Sequence, residues 1–266
     1  MPYWKTQNRA IRGCPMKSLY ITNRKGGVGK TTIALHAAWY FAERYRVLFV
    51  ELDDQRNSSF VLKEHDSGVR TSQLLAGKVD MPTLSKPGIS LIAADDDVKK
   101  LANEAQTAIP NLRTNVLSAA PGFDVCVIDS APAATALTVG PLLFVTHAIA
   151  PVELSTFSLQ GISSLLQSVV AAKKQYNPGL DFLGLLPNKF VPNMPAQRNG
   201  LEAVMKLAGN EFMFDGILTQ RQAYLTVAED KQPAWTDTKT ASREAGKEIR
   251  SVMQKIENRM FHGRAA

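Results

Sequence analysis

Residues 24–32 read Arg-Lys-Gly-Gly-Val-Gly-Lys-Thr-Thr and combine the residue types that hold a polyphosphate. Glycines let backbone N–H groups converge on an anion because no Cβ stands in the way. Lys30 can reach the terminal phosphates, and the Thr31 hydroxyl is a suitable Mg²⁺ ligand. Residues 32–44 have helical apolar spacing, so the positive end of a helix would face the phosphates. The loop therefore predicts a site for a nucleoside triphosphate and Mg²⁺.

The loop departs from the usual pattern G-x-x-x-x-G-K-[ST], which would place glycine where this chain has Arg24. It also adds a second lysine, Lys25. Residues 25–32 resemble the deviant Walker A motif of the ParA/MinD ATPases, and the alternative is a glycine-rich turn with chance lysines. The resemblance implies ATP as the nucleotide and a nucleotide-sandwich homodimer, in which Lys25 acts on the γ-phosphate of the partner subunit. The expected nucleotide contacts are Gly26, Gly27, Val28, Gly29, Lys30, Thr31 and Thr32.

Composition limits the other classes of protein. The chain has 266 residues, 45% of them hydrophobic, which suits one large globular core. No apolar run approaches the ~18 residues that a membrane-spanning helix needs, and no secretory signal is visible. Two cysteines, Cys14 and Cys126, supply neither a disulfide framework nor metal-ligand spacing. We therefore expect a cytoplasmic protein without a membrane partner.

The net charge of +7 is unevenly distributed. Residues 1–42 contain seven basic residues and no acidic one, so the remainder of the chain is neutral. Several of these charges belong to the phosphate loop, so the total alone does not indicate nucleic-acid binding. Residues 1–15 are predicted to be a basic, mobile extension; a tag or upstream start, or an ordered element, are the alternatives. Residues 16–266 are predicted to form one ATPase domain.

Strand-like and helix-like segments alternate along the chain. The predicted strands are residues 18–23, 46–52, 89–94, 124–129, 147–152, 182–187 and 216–219. Several are apolar throughout, as parallel strands buried on both faces are. The fold class is therefore predicted as α/β, with a doubly wound, mostly parallel sheet flanked by helices. Ligands of such sheets bind at the carboxyl ends of the strands, where the phosphate loop also lies.

A second motif, residues 46–57, is an apolar strand followed by acidic and amide residues. It resembles the ParA segment in which a strand leads into Asp-x-Asp-Pro-Gln-Gly-Asn. The resemblance implies that Asp53 orients the attacking water and that Gln55 and Asn57 shape the loop facing the partner subunit. The departures are Glu51 for the first Asp, Asp54 for Pro and Arg56 for Gly. The alternative is a strand that ends in a polar turn.

A third motif, residues 123–132, is an apolar strand that ends in Asp129. It is similar to the family's Walker B pattern, although acidic strand ends are common in α/β folds. Asp129 is expected to hold the Mg²⁺ shell through water, together with the Thr31 hydroxyl. Residues 150–162 resemble a further family segment. Asn188 lies where the family places residues near adenine, so it either contacts the base or forms a turn.

Residues 231–250 resemble most the short, plasmid-encoded ParA partition proteins, and residues 241–260 are predicted as an amphipathic helix. Four basic residues are expected to contact DNA phosphates without reading sequence. They are Arg221, Arg243, Lys247 and Arg250. The alternative is a solvated helix face, on which Glu244 and Glu248 make ordinary i,i+4 ion pairs along the helix.

The resemblance implies an ATPase that dimerises on ATP, binds nonspecific DNA on the nucleoid and partitions plasmids or positions cargo. Slow hydrolysis, stimulated by a ParB-like partner, would then release the DNA. One alternative is a MinD-like regulator at a membrane surface, for which the tail lacks a bulky apolar anchor. Others are a cluster-carrying ATPase, which needs paired cysteines, and a small-molecule kinase or ligase.

Overall fold

The computed structural model describes residues 16–132, 135–154, 159–236 and 240–263. The strands are β1 Lys17–Ile21, β2 Arg46–Glu51, β3 Asp66–Arg70, β4 Gly88–Ala93, β5 Val125–Asp129, β6 His147–Glu153 and β7 Asp181–Asn188. The helices are α1 Lys30–Ala42, α2 Asn57–Val61, α3 Thr71–Ala76, α4 Val98–Leu101, α5 Ala105–Ser118, α6 Ala136–Val139, α7 Leu159–Gln175, α8 Pro195–Ala208, α9 Gln222–Leu225, α10 Val227–Asp230 and α11 Thr240–His262. Short 3₁₀ turns cover Lys63–His65, Ala120–Gly122, Gly140–Leu143 and Asn210–Phe212. The predicted extension, residues 1–15, lies outside the described residues.

The strands form one seven-stranded sheet in the order β3-β4-β2-β5-β1-β6-β7, and the paired strands are parallel. This confirms the predicted doubly wound α/β fold. In the register, Asp129 at the end of β5 is opposite both Ile21 of β1 and Glu51 of β2. The carboxyl ends of three neighbouring strands therefore lie side by side, and the loops that follow them share one edge of the sheet.

Alternate residues of the strands supply two separate layers of core. Leu19 and Ile21 of β1 pack toward α1 and α11, whereas Tyr20 between them packs toward α5 and α7. Strand β5 is buried at all of its positions because helices cover both of its faces. The Tyr20 hydroxyl donates to the carbonyl of Thr138 at 2.9 Å, so the buried phenol is satisfied. The sheet, packed on both faces, therefore supports the loops at its carboxyl edge.

Helix α11 is fixed to α1 by apolar packing and by one buried carboxylate. Its residues Ile249, Val252, Met253 and Ile256 belong to the same core cluster as the inner face of α1. Glu257 accepts hydrogen bonds from the hydroxyls of Tyr40 at 2.8 Å and Tyr45 at 3.0 Å, and pairs with Arg44 at 2.8 Å. The predicted amphipathic helix is thus present, and it packs against the helix that starts at the phosphate loop.

One strand prediction was wrong, and one strand was missed. The segment at residues 216–219 forms no strand. The N–H of Gly216 turns back to the carbonyl of Phe214 at 2.9 Å, and the segment meets the sheet through one hydrogen bond, Leu218 N–H to the Pro187 carbonyl at 2.9 Å, and one isolated bridge between Thr219 and Phe190, just beyond β7. Strand β3 was not predicted. Its sequence, Asp-Ser-Gly-Val-Arg, is polar and half-exposed, and its pairing with β4 is irregular. An edge strand needs little apolar alternation, so the pattern was missed.

Candidate nucleotide-binding site

The loop between β1 and α1 has the shape of an anion cradle. Gly27 and Gly29 adopt φ values of +73° and +93°, which L side chains rarely tolerate. A Cβ on Gly29 would also collide with the side-chain amide of Asn188. That amide donates to the carbonyl of Val28 at 2.7 Å and so braces the loop from the end of β7. The glycines here are therefore required by both conformation and close approach.

The start of α1 offers positive charge to this cradle. The helix begins at Lys30 without a side-chain cap and without an acidic residue in its first turn, so its N-terminal N–H groups are available to an anion. Lys30 is only 6% exposed, and its ammonium donates to the carbonyl of Lys25 at 3.1 Å. Burial lowers the pKa of Lys30, while Asp129 and Asp53 oppose that shift. A phosphate at this point would relieve the cost of burying the charge.

Asp129 lies fully buried beside this lysine and has one unsatisfied oxygen. Its Oδ2 accepts from the Ser58 hydroxyl at 2.9 Å, whereas Oδ1 has no hydrogen-bond partner. Burial and the nearby charge of Glu51 raise the pKa of Asp129 to about 7, and the hydroxyls of Ser58 and Thr31 oppose this shift. An orphaned buried carboxylate oxygen beside a threonine hydroxyl fits a hydrated Mg²⁺ ion. The residues present therefore fit the predicted metal role of Thr31 and Asp129.

Glu51, which stands where the family has an aspartate, caps the short helix α2. Its carboxylate accepts from the N–H groups of Ser58 at 2.7 Å and Ser59 at 3.1 Å, and from the Ser59 hydroxyl. Burial is the largest effect on its pKa, which is raised despite these hydrogen bonds. By accepting the N–H of Ser58, the Glu51 carboxylate positions Ser58 so that its hydroxyl donates to Asp129. Glu51 thus holds α2 against Asp129, the carboxylate predicted to hold the Mg²⁺ shell.

The loop after β2 presents Asp53 to the same space. Its Oδ1 accepts from the N–H of Gln55 at 3.1 Å, its side chain is 6% exposed, and burial raises its pKa. Lys30 lies close enough to oppose that shift. Arg56 has φ +56°, the left-handed conformation that suits the family's glycine. The loop therefore keeps a glycine-like turn, and Arg56 pairs with Asp96 at 3.2 Å.

A small cavity lies beside the loop. It is lined by Gly29, Thr32, Ile33, Asn188, Lys189, Leu218, Thr219, Gln220, Arg221, Tyr224, Leu225 and Ile249. Asn188 is buried, and its amide nitrogen is already committed to the loop carbonyl. The turn at this point is made by the next residue, Lys189, with φ +56°. Asn188 is therefore a brace for the loop, and its contact with a base stays a prediction.

The two lysines of the loop point in different directions. Lys30 is buried inside it, whereas the side chain of Lys25 is 44% exposed at its rim. Lys25 pairs with Glu153 at the end of β6, at 3.0 Å. Arg24, in the place of the usual glycine, donates to the hydroxyls of Ser164 at 2.5 Å and Ser168 at 3.0 Å on α7. The structure thus brings together the predicted residues Lys30, Thr31, Asp53 and Asp129 and leaves Lys25 at the surface.

Two of the predicted DNA contacts are engaged within the chain. Arg221 pairs with Glu248 at 3.2 Å and with Glu244 at 3.7 Å. Arg250 pairs with Glu43, and its guanidinium lies 4.9 Å from the centroid of the Trp235 ring. Glu244 and Glu248 of α11 therefore pair with Arg221, outside the helix. The alternative had assumed pairs along the helix.

The other two basic residues are more available. Arg243 and Lys247 are exposed and stand one turn apart on α11. Within the described ranges neither has an ion-pair partner. Any phosphate-contacting surface on this helix is accordingly centred on Arg243 and Lys247.

Comparison with known proteins places the chain in a family. Residues 16–182 match the family described as an AAA domain. Over 252 residues the chain is 33% identical to Protein IncC of Escherichia coli, covering 92% of this chain and 70% of that protein. The chain belongs to the ParA/MinD family of ATPases. It is also 30% identical over 184 residues to the chromosome partitioning protein ParA of Caulobacter vibrioides, covering 65% of this chain and 69% of that protein.

Solved structures agree with the fold of the ParA/MinD family. Apo McdA of Cyanothece has a TM-score of 0.77 at 21% identity and covers 90% of this chain and 99% of its own. The MinD cell-division ATPase of Pyrococcus furiosus has a TM-score of 0.70 at 19% identity, with 91% and 98% covered. In the described part of the chain, no helix combines the length and apolar character needed to cross a membrane.

Sequence reasoning assigned no role to Ser58, Glu153 or Lys189. Ser58 is recognisable only once α2 is known to begin beside Asp129. Glu153 lies in the family-like segment at residues 150–162, but its partners are 128 residues earlier and 36 residues later in the chain. No local pattern signals such a contact.

Replacing Asp129 with Asn should separate stability from metal binding. The folded-state pKa of the Asp129 carboxyl, about 7, lies above its ordinary value. Its contribution to the free energy of unfolding is therefore fully present below that ordinary pKa and is lost as pH rises through 7. In nucleotide-free, Mg²⁺-free buffer at pH 8, D129N should exceed the wild type in unfolding free energy by about 1–3 kcal/mol. That advantage should shrink at pH 5, and Mg²⁺-dependent ATP binding should be lost.

Urea denaturation at both pH values and calorimetric titration of ATP with Mg²⁺ measure the two effects. Asp80→Asn changes an exposed carboxylate that has no ion-pair partner among the described residues; it is the matched control and should alter neither. An Asp129→Asn protein that is less stable than the wild type at pH 8 would show that the carboxylate is structurally required.

Proposed function

We propose that this chain is a partition-type ATPase whose single domain, from residue 16, pairs through bound ATP·Mg²⁺. The observation that carries the proposal is the division between the two loop lysines. Lys30 is buried inside the cradle, while Lys25 lies at its exposed rim, where it can reach a phosphate held by another subunit. Nucleotide binding and homodimer formation are then one event.

The chemistry of hydrolysis is assigned to residues already described. The loop and Lys30 bind the phosphates, and Thr31 and Asp129 hold the Mg²⁺ shell. Bound Mg²⁺ would neutralise charge on the phosphate oxygens. Asp53 accepts a proton from, or orients, the attacking water. A solved relative by fold, cobyrinic acid a,c-diamide synthase of Mycobacterium smegmatis, is described with a bound ATP analogue and magnesium; its TM-score is 0.73 at 22% identity.

The biological output that we propose is DNA partition or cargo positioning on the nucleoid. The relatives named as chromosome-partitioning proteins support this assignment, as does the exposed basic surface of α11. In a dimer this surface is doubled, and it binds DNA phosphates without sequence preference. A ParB-like partner would accelerate hydrolysis and so end the DNA-bound state.

Replacing Lys25 with Ala should abolish ATP-dependent dimerisation and leave ATP binding by the monomer. Loss of one charge-assisted contact per subunit should weaken pairing by about 10²–10⁴-fold, since each contact contributes ~1.5–3 kcal/mol. Light scattering coupled to gel filtration, with a nonhydrolysable ATP analogue and Mg²⁺, measures pairing. Lys63→Ala, an exposed lysine at the far edge of the sheet, is the control. A K25A protein that still forms dimers would remove the trans role.

Replacing Asp53 with Ala should slow ATP hydrolysis by about 10²–10⁴-fold, the usual contribution of a positioned base. Dimers should still form and should persist on DNA because the step that ends pairing is lost. The adjacent Asp54→Ala change is the matched control, since Asp54 is half-exposed and contacts Gln55. Steady-state phosphate release and DNA retention during a buffer wash give both readouts. Normal turnover in D53A would exclude this carboxylate from the chemistry.

Removing the exposed cations of α11 should weaken DNA binding equally for all sequences. The double variant Arg243→Gln/Lys247→Gln removes four cations per dimer, so the slope of log K against log salt should fall by up to about 3.6. Arg250→Gln should change the slope less, because Glu43 and Trp235 already hold that guanidinium. Fluorescence anisotropy with the nonhydrolysable ATP analogue measures the slope.

The control for this experiment is Lys78→Gln/Lys86→Gln, which removes the same charge from exposed positions before the start of β4. These positions lie at the end of the sheet away from the nucleotide. If this control lowers the slope as much as the α11 variant does, binding follows net charge and not the proposed surface.

A further inference from the structure

One carboxylate bridges both sides of the phosphate loop. Glu153, the last residue of β6, accepts from Lys25 at 3.0 Å through Oε2 and from Lys189 at 3.0 Å through Oε1. Lys189 also donates to the loop carbonyl of Gly27 at 2.6 Å. The exposed lysine of the loop is therefore held by a carboxylate of its own subunit.

The backbone fixes this bridge. In the register between β6 and β7, Glu153 is opposite Asn188, so the next residue, Lys189, starts beside it. Lys189 adopts φ +56°, a conformation that costs a residue with a Cβ roughly 1–2 kcal/mol. The turn directs its ammonium back over the loop, where it meets both Gly27 and Glu153. A strained residue that completes such a contact is a recognised mark of a functional position.

We propose that Glu153 is a positioning residue that holds Lys25 in its own subunit and sets the threshold for ATP-dependent pairing. Dimer formation then exchanges the Lys25–Glu153 contact for a contact between Lys25 and the partner's terminal phosphate. No covalent bond changes. The inference rests on the trans role proposed for Lys25 above. It adds that Lys25 must first leave the Glu153 carboxylate.

The exchange is feasible because neither partner is deeply buried. The side chains of Lys25 and Glu153 are 44% and 26% exposed, so the pair is screened by solvent and the polyanionic phosphates can outcompete it. Lys189 stays with Glu153 when Lys25 leaves, so no unpaired carboxylate is stranded. Partial burial tends to raise the pKa of Glu153, but Lys189 and Lys25 together hold it below its ordinary value. Glu153 is therefore an anion at neutral pH.

The test is to weaken the contact with Lys25 without changing any residue predicted to contact the nucleotide. Glu153→Gln should tighten pairing about 2- to 30-fold, because two exposed ion pairs are lost per dimer. Glu153→Asp keeps the charge on a shorter side chain and should lie between the wild type and E153Q. Glu64→Gln, an exposed glutamate before β3 at the far edge of the sheet, is the matched control. Sedimentation equilibrium at saturating nonhydrolysable ATP analogue and Mg²⁺ gives the pairing constants.

Two outcomes would overturn the proposal. Unchanged or weaker pairing in E153Q would mean that Glu153 does not restrain Lys25. Suppose that E153Q pairs more tightly but E153D pairs like the wild type. The negative charge at position 153 would then act at a distance, and the Lys25–Glu153 contact would not be the restraint.

Further variants separate this proposal from the function on which it rests. If K25A pairs normally, the trans role itself fails. If K25A stays monomeric while E153Q and the wild type pair alike, only the restraint fails. A double-mutant cycle of K25A and E153Q on the urea stability of the nucleotide-free monomer reports the contact directly. It should give a favourable coupling, and a coupling of zero would refute the contact.

Discussion

The site depends on the register of three parallel strands. Because β5 lies between β1 and β2, Ile21, Asp129 and Glu51 end side by side at one edge of the sheet. A slip of one residue would turn Asp129 into the opposite core layer and separate it from the loop that follows Ile21. The buried apolar side chains of β5 therefore do more than stabilise the fold, since their packing sets the position of the carboxylate that we propose holds Mg²⁺.

The same register concentrates unfavourable charge. Asp129 and Glu51 are both fully buried, and each has a raised pKa, while the nearby Lys30 has a lowered one. The Oδ1 of Asp129 has no hydrogen-bond partner. The Mg²⁺ ion and the phosphates that we propose bind here would supply opposite charges to these groups. The buried charges thus form a preorganised site at a cost in stability, a common compromise between stability and function.

The parts of this site that the sequence predicted are those with local signals. The phosphate loop, the Asp53 loop and the strand ending at Asp129 are each contiguous patterns. The family resemblance then gave each pattern its expected role. Strand β3 escaped because a polar edge strand has no apolar alternation. The engagement of Arg250 by Glu43 and Trp235 was missed because those partners are distant in the chain.

The structure also bears on the alternatives left open by the sequence. A cluster-carrying role required paired cysteines, and Cys126 is buried within β5, where burial raises the pKa of its thiol. Cys14 lies outside the described residues. A likeness in fold to a diamide synthase leaves small-molecule chemistry to be judged by assay, since similarity at 22% identity concerns architecture alone.

Both margins of the sheet are protected against the addition of foreign strands. At one margin, β3 is short, carries Asp66 and Arg70 at its ends, and pairs irregularly with β4. At the other, isolated bridges from Met213 and Thr219 occupy parts of the outer side of β7 and the residues just after it. Open backbone groups at such margins are a usual route to uncontrolled aggregation. For a chain that we propose associates and separates repeatedly, this protection favours reversible contact through side chains.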